Sequence, residues 1–158
     1  MSETVSVHLA PGWQPITAQE LPAGLLQGTE DTVRYIAAAV PQTRTYAPNL
    51  VVVRTELGRG EEPEQVLVGS GRAIVDAIPG VRMIDEFPAD GLLEGCRLRS
   101  GIYILDEIAL TFMQVAWIHE SPGERPCLWT ATFTCATREF GAHFDQMYEM
   151  SQSLEVVA

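Results

Sequence analysis

Apolar and polar positions alternate most regularly between residues 102 and 135, and that period-two pattern predicts three strands in succession, at 102–105, 108–119 and 128–135. In the second of them Ile108, Leu110, Phe112, Gln114, Ala116 and Ile118 fall on one face. Ala109, Thr111, Met113, Val115, Trp117 and His119 fall on the other. Both faces are largely apolar, which predicts a central strand covered on each side by helices. The loop at 121–124, Ser-Pro-Gly-Glu, has the composition of a hairpin turn. In the next strand Trp129, Ala131, Phe133 and Cys135 oppose Leu128, Thr130, Thr132 and Thr134. Spacing then changes to the helical period. Phe140, Phe144, Met147, Ser151 and Leu154, with Tyr148 beside them, predict a helix over 139–154.

The first half is less regular. Val5, Val7 and Leu9 alternate with Ser6 and His8 and predict a half-buried strand. Pro11-Gly12 turns the chain, and Trp13 and Ile16 continue a second short strand. Residues 22–28 read as loop. Thr29 is a fair N-cap, and Val33, Ile36, Ala37 and Val40 predict a short helix ended by Pro41. Residues 49–54 hold the apolar, mostly β-branched run Leu50-Val51-Val52-Val53, which predicts a strand covered on both faces. Pro63 opens a helix where its missing N–H costs nothing. Val66, Leu67, Ile74, Val75 and Ile78 form its stripe, and Pro79-Gly80 stops it. Gly69 and Gly71 inside it cost roughly 1 kcal/mol each against Ala, which a close approach of helix to sheet would explain. Residues 81–87 predict one more strand. The whole reads as one domain over 1–158.

Composition narrows the function. The chain has 158 residues, 46% of them hydrophobic, and a formal net charge of −11. All 10 basic residues are Arg and none is Lys, which excludes Schiff-base chemistry, a P-loop lysine and a Lys general base. The acidic surplus offers no basic stripe for nucleic acid and no attraction to anionic membranes. Cys96, Cys127 and Cys135 are odd in number and share no metal or redox spacing, so free thiols in a reducing compartment are expected. Residues 1–4 carry no basic n-region or apolar stretch, and no apolar run is long enough to span a bilayer. The expected location is cytoplasmic.

Candidate chemistry is sparse. Gly69-Ser70-Gly71-Arg72 lacks the strand–loop–helix context, the glycine set and the lysine of a phosphate loop, and Ser70 lies in no nucleophile elbow. His8, His119 and His143 are scattered, and His143 and Asp145 point to different helix faces. The acidic pairs Asp85-Glu86 and Asp106-Glu107 have the groups for acid–base work but read more simply as solvated turns. No catalytic residue, cofactor or metal is expected. Trp13, following a Pro-Gly turn, is the aromatic expected to be partly exposed. It is the first choice as a partner-binding residue, with Met83 and Phe87 as weaker ones.

The chain resembles the Mog1/PsbP-like family and, within it, LpqN/LpqT-type and DUF1795-like proteins. The resemblance is carried by Pro11-Gly12-Trp13, by residues 48–53, by Gln114 in the long strand, by residues 128–133, and by Phe140, Phe144, Met147 and Ser153-Leu154. It implies an α+β fold, an α/β/α sandwich around a central antiparallel sheet. It also implies a non-enzymatic protein-binding or adaptor/chaperone role, linked to a bacterial secretion or export system. The protein partner is unidentified, and a homodimer through a sheet edge is the other expected association. Many LpqN-like proteins are lipoproteins; no lipobox cysteine is present here, so membrane anchoring is not implied. The alternative is a START/polyketide-cyclase-like helix-grip fold holding a small hydrophobic ligand or acting as an enzyme. The helix between residues 62 and 78 separates the two. A sandwich places it on the sheet face opposite the C-terminal helix, whereas a helix-grip fold leaves a cavity there.

Overall fold

The computed structural model describes residues 3–17, 32–39, 46–89 and 91–157. They form β1 (Thr4–Ser6), β2 (Trp13–Pro15), β3 (Val33–Ala39), β4 (Asn49–Glu56), α1 (Pro63–Ala77), β5 (Arg82–Pro88), β6 (Arg97–Leu105), β7 (Ile108–His119), β8 (Cys127–Ala136), α2 (Phe140–Gln152) and β9 (Glu155–Val157). Seven strands make one antiparallel sheet in the order β2-β3-β4-β8-β7-β6-β5. β1 and β9 form a separate two-stranded pair.

The two-faced pattern of β7 sets the layers. β7 pairs with β8 from Leu110↔Ala136 to His119↔Cys127. Met113, Val115 and Trp117 therefore share a face with Trp129, Ala131, Phe133 and Cys135. Met147, Met150, Phe140 and Phe144 of α2 pack there, together with Leu50 and Val52 of β4. Leu110 and Phe112 point the other way and pack with Tyr46, Tyr103, Ile74 of α1 and Ile78 at its C-terminal cap. The helices thus lie on opposite faces, the arrangement expected of a sandwich. The middle strand is β8, with three strands to either side. On the α2 side Trp117 stacks on Trp129 with ring centroids 6.1 Å apart.

Residues 33–39 are strand, not helix. The spacing of Val33, Ile36 and Ala37 fits a helix, but nearly every position between 35 and 39 is apolar. Such a run satisfies either period. Partners decide it: β3 lies between β2 and β4, and Ile36, Ala37, Ala38 and Ala39 are all buried. A strand buried on both faces needs no polar side. Thr29, Val40, Pro41 and the loop at 22–28 lie outside the described residues. The other predicted elements are present with shifted ends, most of all β6, which begins at Arg97.

α1 starts as its sequence suggests. Glu62 caps it by accepting a bond from the Gln65 N–H, with Pro63 in the first turn. Its two internal glycines differ in kind. A Cβ on Gly71 would sit 2.7 Å from Glu86 Oε1 and 3.1 Å from Arg99 Nε, whereas one on Gly69 would meet nothing within 4 Å. Gly71 lets α1 lie against the sheet; Gly69 does not. Gly69→Ala should therefore stabilise the protein by up to about 1 kcal/mol, and Gly71→Ala should destabilise it. Urea midpoints of the two variants check this pair; equal shifts would show that neither glycine is a contact point. Gly101 has a similar role in β6, where a Cβ would meet the Phe112 ring at 2.6 Å.

Candidate functional site

A polar chain crosses the α1 face of the sheet. Arg99 on β6 is fully buried. Its Nη2 donates to the Leu67 carbonyl of α1 at 2.6 Å, and its Nη1 donates to Gln114 Oε1 at 3.1 Å. Gln114 Nε2 in turn donates to Thr132 Oγ1 at 3.0 Å. At the other end Glu86 Oε1 lies 3.1 Å from Arg99 Nε, and Glu86 Oε2 accepts from Arg97 Nε at 2.6 Å. The Arg99 Nε contact has ion-pair distance without hydrogen-bond alignment. Four strands and one helix are joined by this chain: β5, β6, β7, β8 and α1.

The two charged partners are shifted in opposite senses. Burial raises the Glu86 carboxyl, but bonding and attraction to Arg97 and Arg99 outweigh it and hold the group below its ordinary 4.5. At Arg99 burial wins over the attraction of Glu86 and lowers the guanidinium. Solvent explains the difference. The Glu86 side chain keeps 28% of its surface open, and that of Arg99 keeps none.

Beside this chain is a cleft of about 240 Å³. Ile74 of α1 and Ile78, the residue that caps its C-terminal end, form one wall. The floor is sheet: Asn49, Val51 and Val53 of β4, Thr130, Thr132 and Thr134 of β8, and Phe112, Gln114 and Tyr103 beyond them. The threonines lie on one face because strand side chains alternate; the opposite face of β8 is the Trp129–Cys135 core row. Asn49 is 2% exposed. Both protons of its amide are committed, to the Tyr46 hydroxyl and the Ala47 carbonyl at 3.0 Å each, while Oδ1 has no partner. Tyr103 is bonded to Thr134, and burial raises its phenol far above its ordinary value, so it stays neutral.

Of the two acidic pairs, Asp85-Glu86 is not a turn but lies within β5, with Glu86 in the chain above; Asp106-Glu107 and the histidines occupy other places. Glu3, His119 and Ser121 meet at one end of the sheet. His119 Nε2 is 3.2 Å from both Ser121 Oγ and Glu3 Oε2, and Ser121 Oγ donates to Glu3 Oε2 at 3.1 Å. A catalytic triad divides serine and acid between the two imidazole nitrogens. Here one nitrogen meets both, and Arg54 Nη2 holds the other oxygen of Glu3 at 3.3 Å. The cluster is a clip tying the first residues to β4 and β7. His143 faces Glu139 at 4.0 Å. Asp106 and Glu107 form the two-residue turn between β6 and β7, both at positive φ (50° and 69°). Among the described residues no three His, Cys, Asp or Glu side chains gather as metal ligands. None of the three cysteines is in a disulfide, and all are buried. Burial, then the Glu139 charge, pushes the Cys135 thiol up to about 11, which makes it a poor nucleophile at neutral pH.

Of the three expected partner-binding residues, Trp13 is not exposed. It is 8% accessible and packs in the α2-side core, with its Nε1 donating to Gln146 Oε1 at 3.0 Å. The Pro-Gly turn brings β2 alongside β3, and Trp13, opposite Ala39, points under α2. Met83 is half-buried against the α1-side cluster. Phe87 is exposed, at 44%, and two other large apolar side chains of β5 and β6 are exposed as well, Ile84 at 58% and Ile104 at 70%. Phe87 pairs with Leu98, which puts it on the same face as Ile102 and Ile104. On this face Leu98 is buried in the α2-side core, whereas Phe87 and Ile104 are exposed. β5 is also a terminal strand of the sheet.

No family model and no curated protein sequence matches this chain. Solved structures do. LpqN of Mycobacterium tuberculosis, described as involved in cell envelope biogenesis, superposes with a TM-score of 0.74 at 15% identity, covering 99% of this chain and 85% of that one. The Saccharomyces cerevisiae Ran-binding protein Mog1p gives 0.57 at 10% identity, over 99% and 95% of the two chains. Cyanobacterial PsbP from Synechocystis sp. PCC 6803 gives 0.53 at 12% identity, over 98% and 93%. The fold is Mog1/PsbP-like. In this Mog1/PsbP-like sheet the clearest exposed apolar surface lies at the β5–β6 edge, and the Arg99 chain and its cleft lie on the α1 face. The expected α+β sandwich is thus present, with α1 on the sheet face opposite α2.

Proposed function

We propose that this protein is a non-enzymatic protein-binding module, an adaptor or chaperone that holds another protein. The observation that carries this reading is the exposure of three large apolar side chains, Ile84, Phe87 and Ile104, on the two strands β5 and β6 at one edge of the sheet. The outer side of β5 presents backbone N–H and C=O groups that a partner's extended segment can pair with, while its side chains cover these residues. The net charge of −11 favours a basic partner and speeds its approach at low salt. The Ran-binding description of Mog1p supports protein binding in kind. The envelope role described for LpqN supports a place in bacterial secretion or export. Buried thiols without a disulfide fit a cytoplasmic setting. A second copy of the chain is the competing occupant of the same edge.

The partner is to be captured by cross-linking and mass spectrometry, then titrated by calorimetry against variants. Phe87→Ser should weaken binding about thirtyfold, the equivalent of about 2 kcal/mol for a desolvated aromatic anchor. Asp106→Asn should change it less than about fivefold, the worth of an exposed charge. Trp13→Ala should act through stability and not through contact. Unchanged binding by Phe87→Ser and Ile84→Ser together would sink the edge as the docking surface. Concentration-dependent dimerisation abolished by the same changes would assign the edge to a second copy instead.

A further inference from the structure

The cleft under α1 has the features of a small-molecule site, and the protein-docking reading makes no use of it. Its walls are apolar: Val51, Val53, Ile74, Ile78 and Phe112. Among the described residues no carboxylate or guanidinium lines it. A charged guest would lose its hydration without a counter-ion, at high cost, so the cleft suits a neutral one. Its size, about 240 Å³, exceeds the roughly 150 Å³ of an engineered apolar cavity in another protein that admits benzene. One ring with a short polar substituent fits that volume.

Two polar atoms give the guest an orientation. Asn49 Oδ1 is a buried acceptor without a donor, and it cannot turn away, because both amide protons are held by Tyr46 and Ala47. An unmade bond of this kind costs about 1–3 kcal/mol unless water or a ligand completes it. Thr132 supplies the complementary group. Arg99 fixes the amide of Gln114 with its oxygen toward the guanidinium, so Gln114 Nε2 donates to Thr132 Oγ1. The Thr132 hydroxyl, already accepting, has its own proton left to donate. The buried Glu86–Arg99–Gln114 chain thereby sets the polarity of a hydroxyl on the cleft floor.

We propose that this cleft binds a small, neutral, ring-bearing molecule that donates a hydrogen bond to Asn49 Oδ1 and accepts one from the Thr132 hydroxyl. A primary amide on an aromatic ring has both groups in the required combination. The guest's N–H completes an acceptor that no described group satisfies.

The probes are benzamide, its charged analogue benzoate, and toluene, which has the ring alone. Each is titrated into the full chain and followed by backbone amide NMR shifts. Benzamide should bind with shifts clustered at residues 49–53, 74–78 and 130–134. Benzoate and toluene should each bind at least tenfold more weakly. Thr132→Val, which keeps the shape and removes the hydroxyl, should weaken benzamide about tenfold; it also leaves Gln114 Nε2 without its acceptor and so lowers the melting midpoint, and the titration is run well below the midpoint of the variant. Ile74→Trp should fill the cleft and abolish the shifts. No benzamide binding at millimolar concentration overturns the proposal. Shifts centred elsewhere, equal binding of benzoate, or no effect of Thr132→Val overturn it as well. None of these results bears on the β5–β6 edge, whose variants leave the cleft intact.

Discussion

Phe133→Ala is expected to lower the melting midpoint by about 6–20 °C. Phe133 is fully buried in the middle strand, beneath α2. Truncating a buried Phe costs about 3–5 kcal/mol, from lost transfer energy and the cavity left behind. For a chain of this size each kcal/mol moves the midpoint by roughly 2–4 °C. Phe144 makes the informative comparison. It stands on α2 between Phe140 and Tyr148, with ring centroids 5.5 and 5.9 Å away, and is only partly buried. Its removal opens onto solvent and leaves no sealed cavity, so Phe144→Ala should cost less than Phe133→Ala. Differential scanning calorimetry on both variants checks the order; the reverse order would mean that α2 and not β8 is the centre of the core.

The second large effect concerns Glu86 and Arg99, and the two halves of the pair should behave unequally. Glu86→Leu leaves a guanidinium with no solvent exposure and no adjacent carboxylate. Uncompensated buried charge of this kind costs about 3–5 kcal/mol. Arg99→Met leaves Glu86 still partnered by Arg97 and partly in water. What it forfeits is the donors to Leu67 and Gln114, two unmade bonds at about 1–3 kcal/mol each, offset by the favourable burial of the Met side chain. The double variant should recover part of the Glu86→Leu loss, because the stranded charge is gone. Urea denaturation of the three variants gives the cycle directly; strict additivity would remove the pair from the account. The acid limb is linked to it. Glu86 is held below 4.5 in the folded state, so its stabilisation is present above pH 4.5 and is lost as the pH falls through the lower folded value. Glu86→Leu should flatten the stability profile in that window.

Much of the sheet was legible because strands report their partners through alternation. β7 and β8 show which residues share a face, and both sets have the burial that the alternation implies. α2 was legible for the same reason at a different period. β3 was not. Its run of apolar residues has no polar side, and a strand with two covered faces leaves no periodic trace. The resemblance to Mog1/PsbP-like proteins was likewise readable from structural residues, since those positions build the sheet, and it carried the sandwich with it.

The candidate sites were mostly illegible. Arg99 carried no signal, because it precedes the strand read at 102–105; Gln114 carried one, a polar side chain on an inward strand position. That signal says a partner must exist without saying which, and Glu86 and Leu67 are 13 and 32 positions from Arg99. Asn49 lay inside an apolar run and looked like a strand end. Trp13 shows the converse error. A Pro-Gly turn suggested exposure, but the fate of an aromatic depends on what later covers it, and α2 arrives more than a hundred residues on.

By itself the sequence determined the periods of the main elements, the residues sharing each face, the acidic charge and the lack of lysine chemistry. These are properties of neighbouring residues and of sums over the chain. Strand order, the side of the sheet each helix covers, the Glu86–Arg99–Gln114–Thr132 chain, the cleft with its unpaired Asn49 oxygen and the exposed apolar residues of the β5–β6 edge were decided only in the tertiary structure. Each depends on burial and hydrogen bonding between residues far apart in the chain, and local pattern carries no record of that distance.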